Sequence, residues 1–252
     1  MRSIEDNHRQ TTGACPGESD GDMRYRQMKS DITDLTIKPG GYYESLREDM
    51  LKYIPGGTRT SLEFGCGFGG FSAQLKRERG IETWGVEISA AAAAKAAGVL
   101  DKVIVADAFE AINKLPDNYF DCIVFLDVLE HLVNPYAVLL AIKSKMTPKG
   151  VIIASIPNIR YYRKFVDFVI HGNWDYEEAG IMDKTHLRFF TFKSIIKTFD
   201  QTGFEIIILE GMHPTHSRTY RIINILLCGL LADLRYQQFA VVARPKRREK
   251  LS

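Results

Sequence analysis

The chain has 252 residues, with 33 Lys and Arg against 31 Asp and Glu, and its formal net charge at pH 7 is only +2. This length suits one well-packed α/β domain with extensions. Because the positive and negative charges nearly balance, we expect no large basic surface, which argues against a nucleic-acid partner.

The cysteines and the apolar runs of the sequence indicate the cellular compartment in which the protein is expected. The four cysteines show no CxxC spacing, and a reduced interior suits them better than disulfides. The N-terminal stretch lacks the charged-then-apolar pattern of a secretory signal, so we expect a cytoplasmic protein. The longest apolar run, residues 222–232, is too short for a bilayer span and predicts a buried helix. Peripheral contact with a membrane, or with a partner, is the alternative for this run.

Two features precede the predicted sheet. Residues 1–39 contain TTGACPGESDGD, lack apolar periodicity and predict a flexible extension. In YYESLREDMLKYIP, apolar residues at helical spacing predict a helix that stops at Pro55. These residues are Tyr43, Leu46, Met50 and Tyr53.

From residue 59 the chain alternates between segments typical of strands and segments typical of helices. Strands are predicted in TSLEF, TWGVEI, KVIVAD, FDCIVFLD and GVIIASIP. Helices are predicted between them, in GFSAQLKRER, SAAAAAKAAG, FEAINKL and PYAVLLAIKSKM. This alternation predicts an α/β fold with a mostly parallel sheet, helices on both faces and ligands beyond the carboxyl ends of the strands.

The alternation fails at residues 157–190, which are aromatic and interrupted by glycines. It resumes with a helix in TFKSIIKTFDQTG and a strand in FEIIIL, followed by a second irregular stretch at about 211–236 and a last strand in QFAVVAR. We therefore predict one domain over residues 40–246 with two lid insertions, followed by a basic tail at 247–252.

The loop LEFGCGFGGFS, residues 62–72, places Gly65, Gly67 and Gly70 in GxGxxG register after the first strand. Glycines of this kind let the backbone approach a nucleotide ligand closely. A loop that binds a pyrophosphate offers N–H groups to it, and Glu63 beside such a loop would repel the phosphates. Glu63 instead suits a cationic ligand.

Further acidic residues end the next strands: Glu87, Asp107 and Asp127. Together they make an electronegative rim that disfavours a diphosphate and favours a cation such as S-adenosylmethionine. Any one of them could instead cap a following helix. Cys66 is favoured as a small residue that fits the core rather than as a nucleophile, since no positive partner is near it in the sequence.

Taken together, LEFGCGFGGFS, GVEIS, ADAFE, FDCIVFLDVLEHLVNP, FEIIILEG and QFAVVARP resemble the class I S-adenosylmethionine-dependent methyltransferases over residues 40–246. The resemblance implies a Rossmann-like sheet of seven strands with an antiparallel last strand. It also implies S-adenosylmethionine as cofactor, with S-adenosylhomocysteine as product. The residues it assigns to the cofactor are Glu63, Gly65, Cys66 and Gly67 around the methionine moiety, Glu87 and Ile88 at the ribose, Asp107 and Ala108 near the adenine, and Asp127 on the methionine side.

The segment GNWDYEEAGIMDKTHLRFFT in the first insertion resembles a pattern of bacterial methyltransferases in surface-polysaccharide and related glycan pathways. This resemblance implies a sugar hydroxyl as acceptor. A hydroxyl is a poor nucleophile and needs a proton acceptor, for which His186 is the first candidate, Asp183 its possible orienter and His131 a second candidate. Aromatic residues here could stack on a sugar and Arg188 could hold an anionic group, or these residues could simply brace the lid.

Asp127, Glu130 and His131 have i, i+3, i+4 spacing, which would bring them together on one face of a helical turn. This DxxEH cluster resembles the divalent-metal site of small-RNA 2′-O-methyltransferases and of some ubiquinone-pathway O-methyltransferases, with His186 as a possible fourth ligand. The phrase DVLEHL also occurs in many methyltransferases without a metal. The prediction is therefore that no metal is required, with a divalent ion at these residues as the alternative.

The sequence therefore predicts a methyltransferase that acts on a sugar hydroxyl of a glycan or a glycosylated small molecule. Methylation of an amine or a carboxyl group on a small natural product is one alternative. An alternative from another class is an NAD(P)-linked oxidoreductase with a Rossmann fold. The last alternative is a non-catalytic protein that binds adenosine or regulates a partner, although Glu63, Glu87 and Asp107 argue for cofactor binding. The sequence leaves the oligomeric state open.

Overall fold

The structure is a computed structural model that describes residues 47–246. The predicted extension at 1–39, the tail at 247–252 and the first part of the predicted N-terminal helix lie outside the described residues. Within them, a short 3-10 helix at Glu48–Tyr53 takes the place of the end of that helix. It buries Met50 and Tyr53, two of the four residues that predicted its apolar face.

A single sheet organises the described part of the chain. Its strands are β1 (Thr60–Phe64), β2 (Glu82–Glu87), β3 (Lys102–Val105), β4 (Phe120–Leu126), β5 (Met146–Pro157), β6 (Phe204–Pro214) and β7 (Tyr236–Pro245). Their order is β3-β2-β1-β4-β5-β7-β6. Strands β1 to β5 are parallel where they pair, and β7 is antiparallel to both β5 and β6. The predicted seven-stranded fold with an antiparallel last strand is confirmed.

The helices are α1 (Gly70–Arg79), α2 (Ala90–Ala96), α3 (Ala108–Ile112), α4 (Pro135–Ala141), α5 (Tyr162–Val169), α6 (Phe192–Gln201) and α7 (Arg218–Leu226). Local signals fix several of their ends. Asn134 caps α4 by accepting a hydrogen bond from the Ala137 amide, with Pro135 at the first helical position. Helix α4 is shorter than predicted because residues 142–145 tighten into a 3-10 turn.

The core lies on both faces of the sheet. Alternate residues of β4 point to opposite faces, so that Ile123 and Phe125 belong to one buried cluster and Cys122 and Val124 to the other. Burial on both faces explains why the predicted strands read as nearly continuous apolar runs. Because β1 to β4 are parallel, their carboxyl ends lie at one common edge of the sheet, where the site is built.

The predicted burial of the 222–232 run is wrong. Helix α7 ends at Leu226, and the side chains of Ile225, Leu226 and Leu230 are 73%, 75% and 76% exposed. Of the residues in α7, Tyr220 is buried, with its hydroxyl near the carbonyls of Leu231 and Ala232. The helix lies in the connection between β6 and β7, where the described elements cover only the face that carries this tyrosine. Within residues 47–246, no helix is long and apolar enough to cross a membrane.

The second predicted insertion is also shorter than expected. The antiparallel pairing of β6 with β7 continues as far as Pro214 and Tyr236. The irregular connection therefore covers residues 215–235. The first insertion keeps its predicted place after β5, and it contains α5 and an extended loop up to Phe190.

Candidate active site

The loop between β1 and α1 has a backbone that favours glycine. Gly65, Gly67 and Gly69 have φ angles of 66°, 54° and 83°, in the left-handed region. A Cβ at Gly65 would lie only 2.7 Å from Cγ2 of Val128. The third glycine of the predicted register, Gly70, begins α1, and Gly69 takes the left-handed position before it. The loop is a narrow backbone cradle at the edge of the sheet.

Glu87 ties this loop to the end of β2. Its Oε2 accepts a hydrogen bond from the Gly67 amide at 2.9 Å, and its Oε1 accepts one from the Ser89 amide at 2.9 Å. The carboxylate is buried, so these two bonds set both its position and the shape of the loop. Its contact with a ribose stays a prediction.

Glu63 lies beneath the loop and is also buried. Its Oε2 accepts a hydrogen bond of 2.6 Å from the Ser72 hydroxyl of α1. Burial raises the pKa of Glu63 to about 7, and the nearby charge of Glu87 acts in the same direction. Glu63 can therefore gain or lose a proton near neutral pH.

The residues predicted to hold the adenosine differ in their surroundings. Asp107 caps α3 by accepting a hydrogen bond of 2.9 Å from the Glu110 amide, which is the structural role considered for it from sequence. Ile88 is 38% exposed and Ala108 is half-buried, so both present apolar surface to the outside of the fold. Cys66 is buried against Ala96 and Leu100. Burial raises the pKa of the Cys66 thiol, consistent with a core residue rather than a nucleophile.

Asp127, at the end of β4, belongs to a network that the sequence does not predict. Its carboxylate forms an ion pair with Arg47 and accepts hydrogen bonds from the Ser155 hydroxyl at 2.9 Å and the Gln238 amide at 3.2 Å. Arg47 also donates to Ser155 and Gln238. These residues come from the segment before β1 and from strands β4, β5 and β7, so only the folded sheet brings them together.

Glu130 lies on the 3-10 turn Leu129–His131, and only 1% of its surface is exposed. Neither of its carboxylate oxygens has a hydrogen-bond partner within residues 47–246. Its backbone carbonyl accepts hydrogen bonds from the amides of Leu187 and Arg188, which fixes the turn against the first insertion. Burial raises the pKa of Glu130 well above its usual range, and the charge of Asp127 adds to the effect.

His131 and His186 meet beside Glu130, with ring centroids 4.6 Å apart. The Nε2 of His186 lies 3.9 Å from Oε1 of Glu130, and its Nδ1 lies 3.0 Å from the carbonyl oxygen of Ile181. The Nδ1 of His131 lies 3.1 Å from the carbonyl oxygen of Thr185 and 3.0 Å from its hydroxyl. The structure thus brings the two predicted histidines into one cluster, in which Glu130 and His186 are buried and His131 is half-buried.

Asp183 contacts His186 through its backbone, because its carbonyl accepts a hydrogen bond of 2.9 Å from the His186 amide, and its carboxylate contacts Thr185. Its Oδ1 accepts hydrogen bonds from the Thr185 hydroxyl at 2.7 Å and from the Thr185 amide at 2.8 Å. Because the hydroxyl proton points to Asp183, the hydroxyl oxygen faces His131 as an acceptor. Asp183 therefore orients His131 through Thr185, whereas the carbonyl of Ile181 orients His186.

The residues whose side chains come close enough to share a metal ion are not the ones that the i, i+3, i+4 spacing predicted. Asp127 has a φ of 56°, outside a helical turn, and its carboxylate is engaged with Arg47. The ligand atoms that lie within 4.8 Å of one another belong to Glu130, His131 and His186. Arg188 donates to the carbonyls of Leu187 and Val133, which fits the bracing role considered for it.

A cavity of about 450 Å³ opens in the first insertion, between α5 and the loop that follows it. Aromatic and charged side chains share its wall, and the residues that line it are Ile159, Arg160, Lys164, Phe165, Asp167, Phe168, Val169, Asn173, Trp174, Asp175, Glu177 and Met182. None of them comes from the glycine loop. Ring contacts run from Trp174 to Phe189 at 5.4 Å and from Phe189 to His186 at 6.4 Å, so aromatic side chains link the cavity wall to the histidine cluster.

Comparison with known proteins agrees with this architecture. A family model described as a methyltransferase domain matches residues 33–209, and the chain belongs to this family. A SAM-dependent methyltransferase from Archaeoglobus fulgidus is 25% identical with a TM-score of 0.61, and the match covers 87% of this chain and 98% of that one.

Two further solved structures share the fold at lower identity. An S-adenosylmethionine-dependent methyltransferase from Mesorhizobium loti is 20% identical with a TM-score of 0.53, over 78% of this chain and 95% of that one. A phosphoethanolamine N-methyltransferase from Haemonchus contortus, in complex with phosphomonomethylethanolamine and S-adenosylhomocysteine, is 17% identical with a TM-score of 0.56. That match covers 89% of this chain and 59% of that one. The chain is thus a methyltransferase-domain protein, and the predicted cofactor agrees with the proteins it resembles.

Proposed function

We propose that this protein transfers the methyl group of S-adenosylmethionine to a hydroxyl of a sugar, in a glycan or a glycosylated small molecule. The bond between the sulfonium sulfur and the methyl carbon breaks, a bond from that carbon to the hydroxyl oxygen forms, and the hydroxyl proton leaves. The products are a methyl ether and S-adenosylhomocysteine. S-adenosylmethionine is the cofactor, and when bound it supplies the electrophilic methyl group.

The residues at the sheet edge fit this cofactor. The left-handed glycines leave a cradle at Gly65 that a Cβ would fill. Glu63 and Glu87 place carboxyl groups around the loop, and no Lys or Arg lies within residues 62–72 to attract a phosphate. Glu87 and Asp107 are the groups proposed for the ribose and the adenine side, and Asp127 for the methionine side.

The proposal of a hydroxyl acceptor depends on the cluster of Glu130, His131 and His186, in which Glu130 and His186 are buried and His131 is half-buried. An aliphatic hydroxyl loses its proton only with help, and a nearby imidazole or carboxylate provides such help. In both histidines Nδ1 faces a backbone carbonyl, that of Thr185 for His131 and that of Ile181 for His186, and these contacts hold the two rings beside Glu130. His186 is the proposed catalytic residue, and Asp183 is a positioning residue that acts on His131 through Thr185.

The cavity in the first insertion supports a sugar as the acceptor. Trp174 and Phe168 offer aromatic faces whose rings are 5.3 Å apart, and Asn173 and Asp175 place polar groups near them. Sugars present apolar C–H faces and hydroxyls at their edges, which matches such a wall. A cationic amine is the second candidate acceptor, because Asp167 and Asp175 line the same cavity, where Glu177 is already paired with Lys164.

Product analysis tests this proposal. The purified protein is incubated with labelled S-adenosylmethionine and a panel of glycosides, nucleotide sugars and amino sugars, and linkage analysis locates the methyl group. We expect a methyl ether. His186→Ala should lower kcat by about 10²–10⁴-fold, with the Kd for S-adenosylhomocysteine unchanged within about twofold. His216→Ala, an exposed histidine outside the cluster, is the matched control. A methyl group found only on nitrogen or on a carboxylate would overturn the sugar-hydroxyl proposal.

A further inference from the structure

We propose that helix α7 and the turn after it bind the anionic surface of a lipid membrane. This part of the molecule combines exposed apolar side chains with exposed arginines. We call these residues the α7 surface; the apolar ones are Ile222, Ile225, Leu226, Leu227 and Leu230, and the basic ones are Arg163, Arg218 and Arg221. The inference depends on this surface alone and does not rest on the proposed reaction.

The apolar residues of the α7 surface point away from the rest of the fold. Ile222, Ile225 and Leu226 have i, i+3, i+4 spacing, which places them on one face of the helix. Tyr220, the buried residue of α7, lies on the other face. Apolar side chains concentrated in this way on a surface mark a site of interaction with a protein or a membrane.

Internal contacts give this segment a fixed shape. The Tyr220 hydroxyl donates to the carbonyls of Leu231 and Ala232 at 3.1 Å and 3.2 Å, and Oδ1 of Asn224 accepts a hydrogen bond of 3.1 Å from the Leu231 amide. The ring of Tyr220 also lies 5.5 Å from that of Tyr162 on α5. Because the apolar face is already formed, little ordering is needed when it binds.

The charge around these apolar residues is positive. Residues 215–231 contain Arg218 and Arg221 but no Asp or Glu. Arg163 comes from α5 and lines a pocket of about 420 Å³ together with Ser217, which caps α7. All three arginines are exposed, and none of them forms an ion pair with another residue in the described part of the chain. Their charge is therefore open to an anionic partner.

An anionic membrane matches both the basic and the apolar residues of the α7 surface. Lipid phosphates attract arginines, and the boundary between headgroups and acyl chains takes up the apolar face of a helix. Arginine suits this boundary, because its stem lies along apolar surface while the guanidinium stays among the headgroups.

A second copy of the chain matches this surface less well. A stable protein interface takes roughly 20–30 residues from each partner, and the α7 surface offers only about a third of that number. A symmetric pairing would also bring the arginines of both copies together, and residues 215–231 supply no acid to oppose them. The next acidic residue, Asp233, is already paired with Arg160 at 2.8 Å.

Binding to vesicles tests the proposal. The full-length protein is mixed with vesicles of phosphatidylcholine, with or without phosphatidylglycerol, and the bound fraction is measured by sedimentation. We expect binding to the anionic vesicles that weakens as salt is added. Arg218→Gln with Arg221→Gln should weaken it about 10–30-fold, since each basic residue near an anionic surface contributes about fivefold. Ile225→Ser with Leu226→Ser should weaken it by at least about 30-fold.

Matched variants elsewhere distinguish the α7 surface from exposed residues in general. Arg59→Gln with Arg77→Gln removes two exposed arginines, and Leu140→Ser removes an exposed leucine of α4. Both variants should bind vesicles like the unchanged protein. Binding of S-adenosylhomocysteine by each variant shows that it is folded.

Cys228 provides a local readout of contact with lipid. It is exposed in the turn after α7, whereas Cys66 and Cys122 are buried. The remaining cysteine, Cys15, lies outside the described residues and is replaced by Cys15→Ser. An environment-sensitive fluorophore attached to Cys228 should then shift its emission to shorter wavelength on anionic vesicles, and lipids with brominated acyl chains should quench it.

The outcomes separate the membrane from other partners. The proposal is overturned if the folded protein does not bind anionic vesicles, binds phosphatidylcholine alone equally well, or binds unchanged in the α7 variants. A dimer in solution that Ile225→Ser with Leu226→Ser dissociates would assign the surface to a second copy and overturn it as well. Loss of vesicle binding in the α7 variants alone supports the proposal even where no methyl ether forms, and in that case only the proposed function fails.

Discussion

His131 depends on residues more than fifty positions away for its tautomer. Thr185 presents its carbonyl and its hydroxyl oxygen to Nδ1 of His131, and Asp183 holds the hydroxyl proton away from the ring. Sequence spacing suggested that Asp183 would orient His186, three residues later. In the loop, Nδ1 of His186 faces the backbone carbonyl of Ile181, and the His186 amide donates to the backbone carbonyl of Asp183. The orientation of the ring thus depends on a backbone group that the spacing of side chains in the sequence does not show.

At the same scale, Gly65 is expected to tolerate no side chain. A Cβ there would lie 2.7 Å from Val128, and the φ of 66° is unfavourable for other residues. We expect Gly65→Ala to lower the free energy of unfolding by about 2–5 kcal/mol, from about 1–2 kcal/mol of backbone strain and about 1–3 kcal/mol of crowding. Chemical denaturation measures this loss. Affinity for S-adenosylhomocysteine should fall at least tenfold.

Gly57 provides the matched control for Gly65. Its φ is 85°, and a Cβ added to it would meet nothing within 4 Å. Gly57→Ala should therefore show only the backbone part of the loss and keep its cofactor affinity. The double variant Gly65→Ala with Val128→Ala should recover part of the affinity. Equal losses at Gly57 and Gly65 would contradict the crowding at Val128.

Glu63 predicts a pH dependence of stability. Its pKa is about 7 in the folded protein against 4.5 for the free side chain. Between these values the native state binds more protons than the unfolded state, so stability falls as the pH rises through this window. A shift of this size is on the order of 3 kcal/mol. Unfolding measured from pH 4.5 to 7.5 should show this slope, and Glu63→Gln should reduce it. If Glu63→Gln keeps the full dependence of the free energy of unfolding on pH, that dependence does not come from Glu63.

At the scale of elements, regular segments are predicted well from sequence. Helix α1 has the predicted bounds, Gly70–Arg79, because left-handed glycines stand on both sides of it, at Gly69 and Gly80. The strands β1 and β4 follow their apolar runs because a strand that is buried on both faces of a sheet carries apolar side chains along most of its length. The predicted burial of helix α7 was wrong because an apolar run in the sequence shows only that its residues are hydrophobic. Whether another element covers it depends on the layers of the whole fold.

The exposure of α7 predicts a contrast between two isoleucines. Ile225 is 73% exposed on α7, and Ile153 is fully buried in β5. Ile225→Ala should change the free energy of unfolding by less than about 0.5 kcal/mol, whereas Ile153→Ala should cost about 2–5 kcal/mol. Equilibrium denaturation of both variants gives the comparison. A loss at Ile225 that approaches the loss at Ile153 would mean that α7 is covered in solution.

At the scale of the whole molecule, the site is assembled from long-range contacts. Arg47 precedes β1, Asp127 follows β4, and Gln238 lies in β7, yet they share one network. The sequence predicted the acidic rim because each acid ends a strand, and parallel strands end at a common edge. It missed Arg47 and Gln238 because no local pattern marks a residue whose partner is 80 or more positions away.

The last prediction concerns stabilisation of the whole fold by the cofactor product. The glycine loop and Glu87 are built in the native state and are lost on unfolding, so a ligand that binds there shifts the folding equilibrium. At a concentration of about 100 times its Kd, S-adenosylhomocysteine should add about 2.7 kcal/mol to the free energy of unfolding. For a domain of this size that raises Tm by roughly 5–10 °C. NAD should leave Tm unchanged, because the carboxyl groups of Glu63 and Glu87 repel a diphosphate. Gly65→Ala should show a smaller rise in Tm than the unchanged protein at the same concentration of S-adenosylhomocysteine. A rise in Tm with NAD and none with S-adenosylhomocysteine would contradict the assignment of the cofactor site.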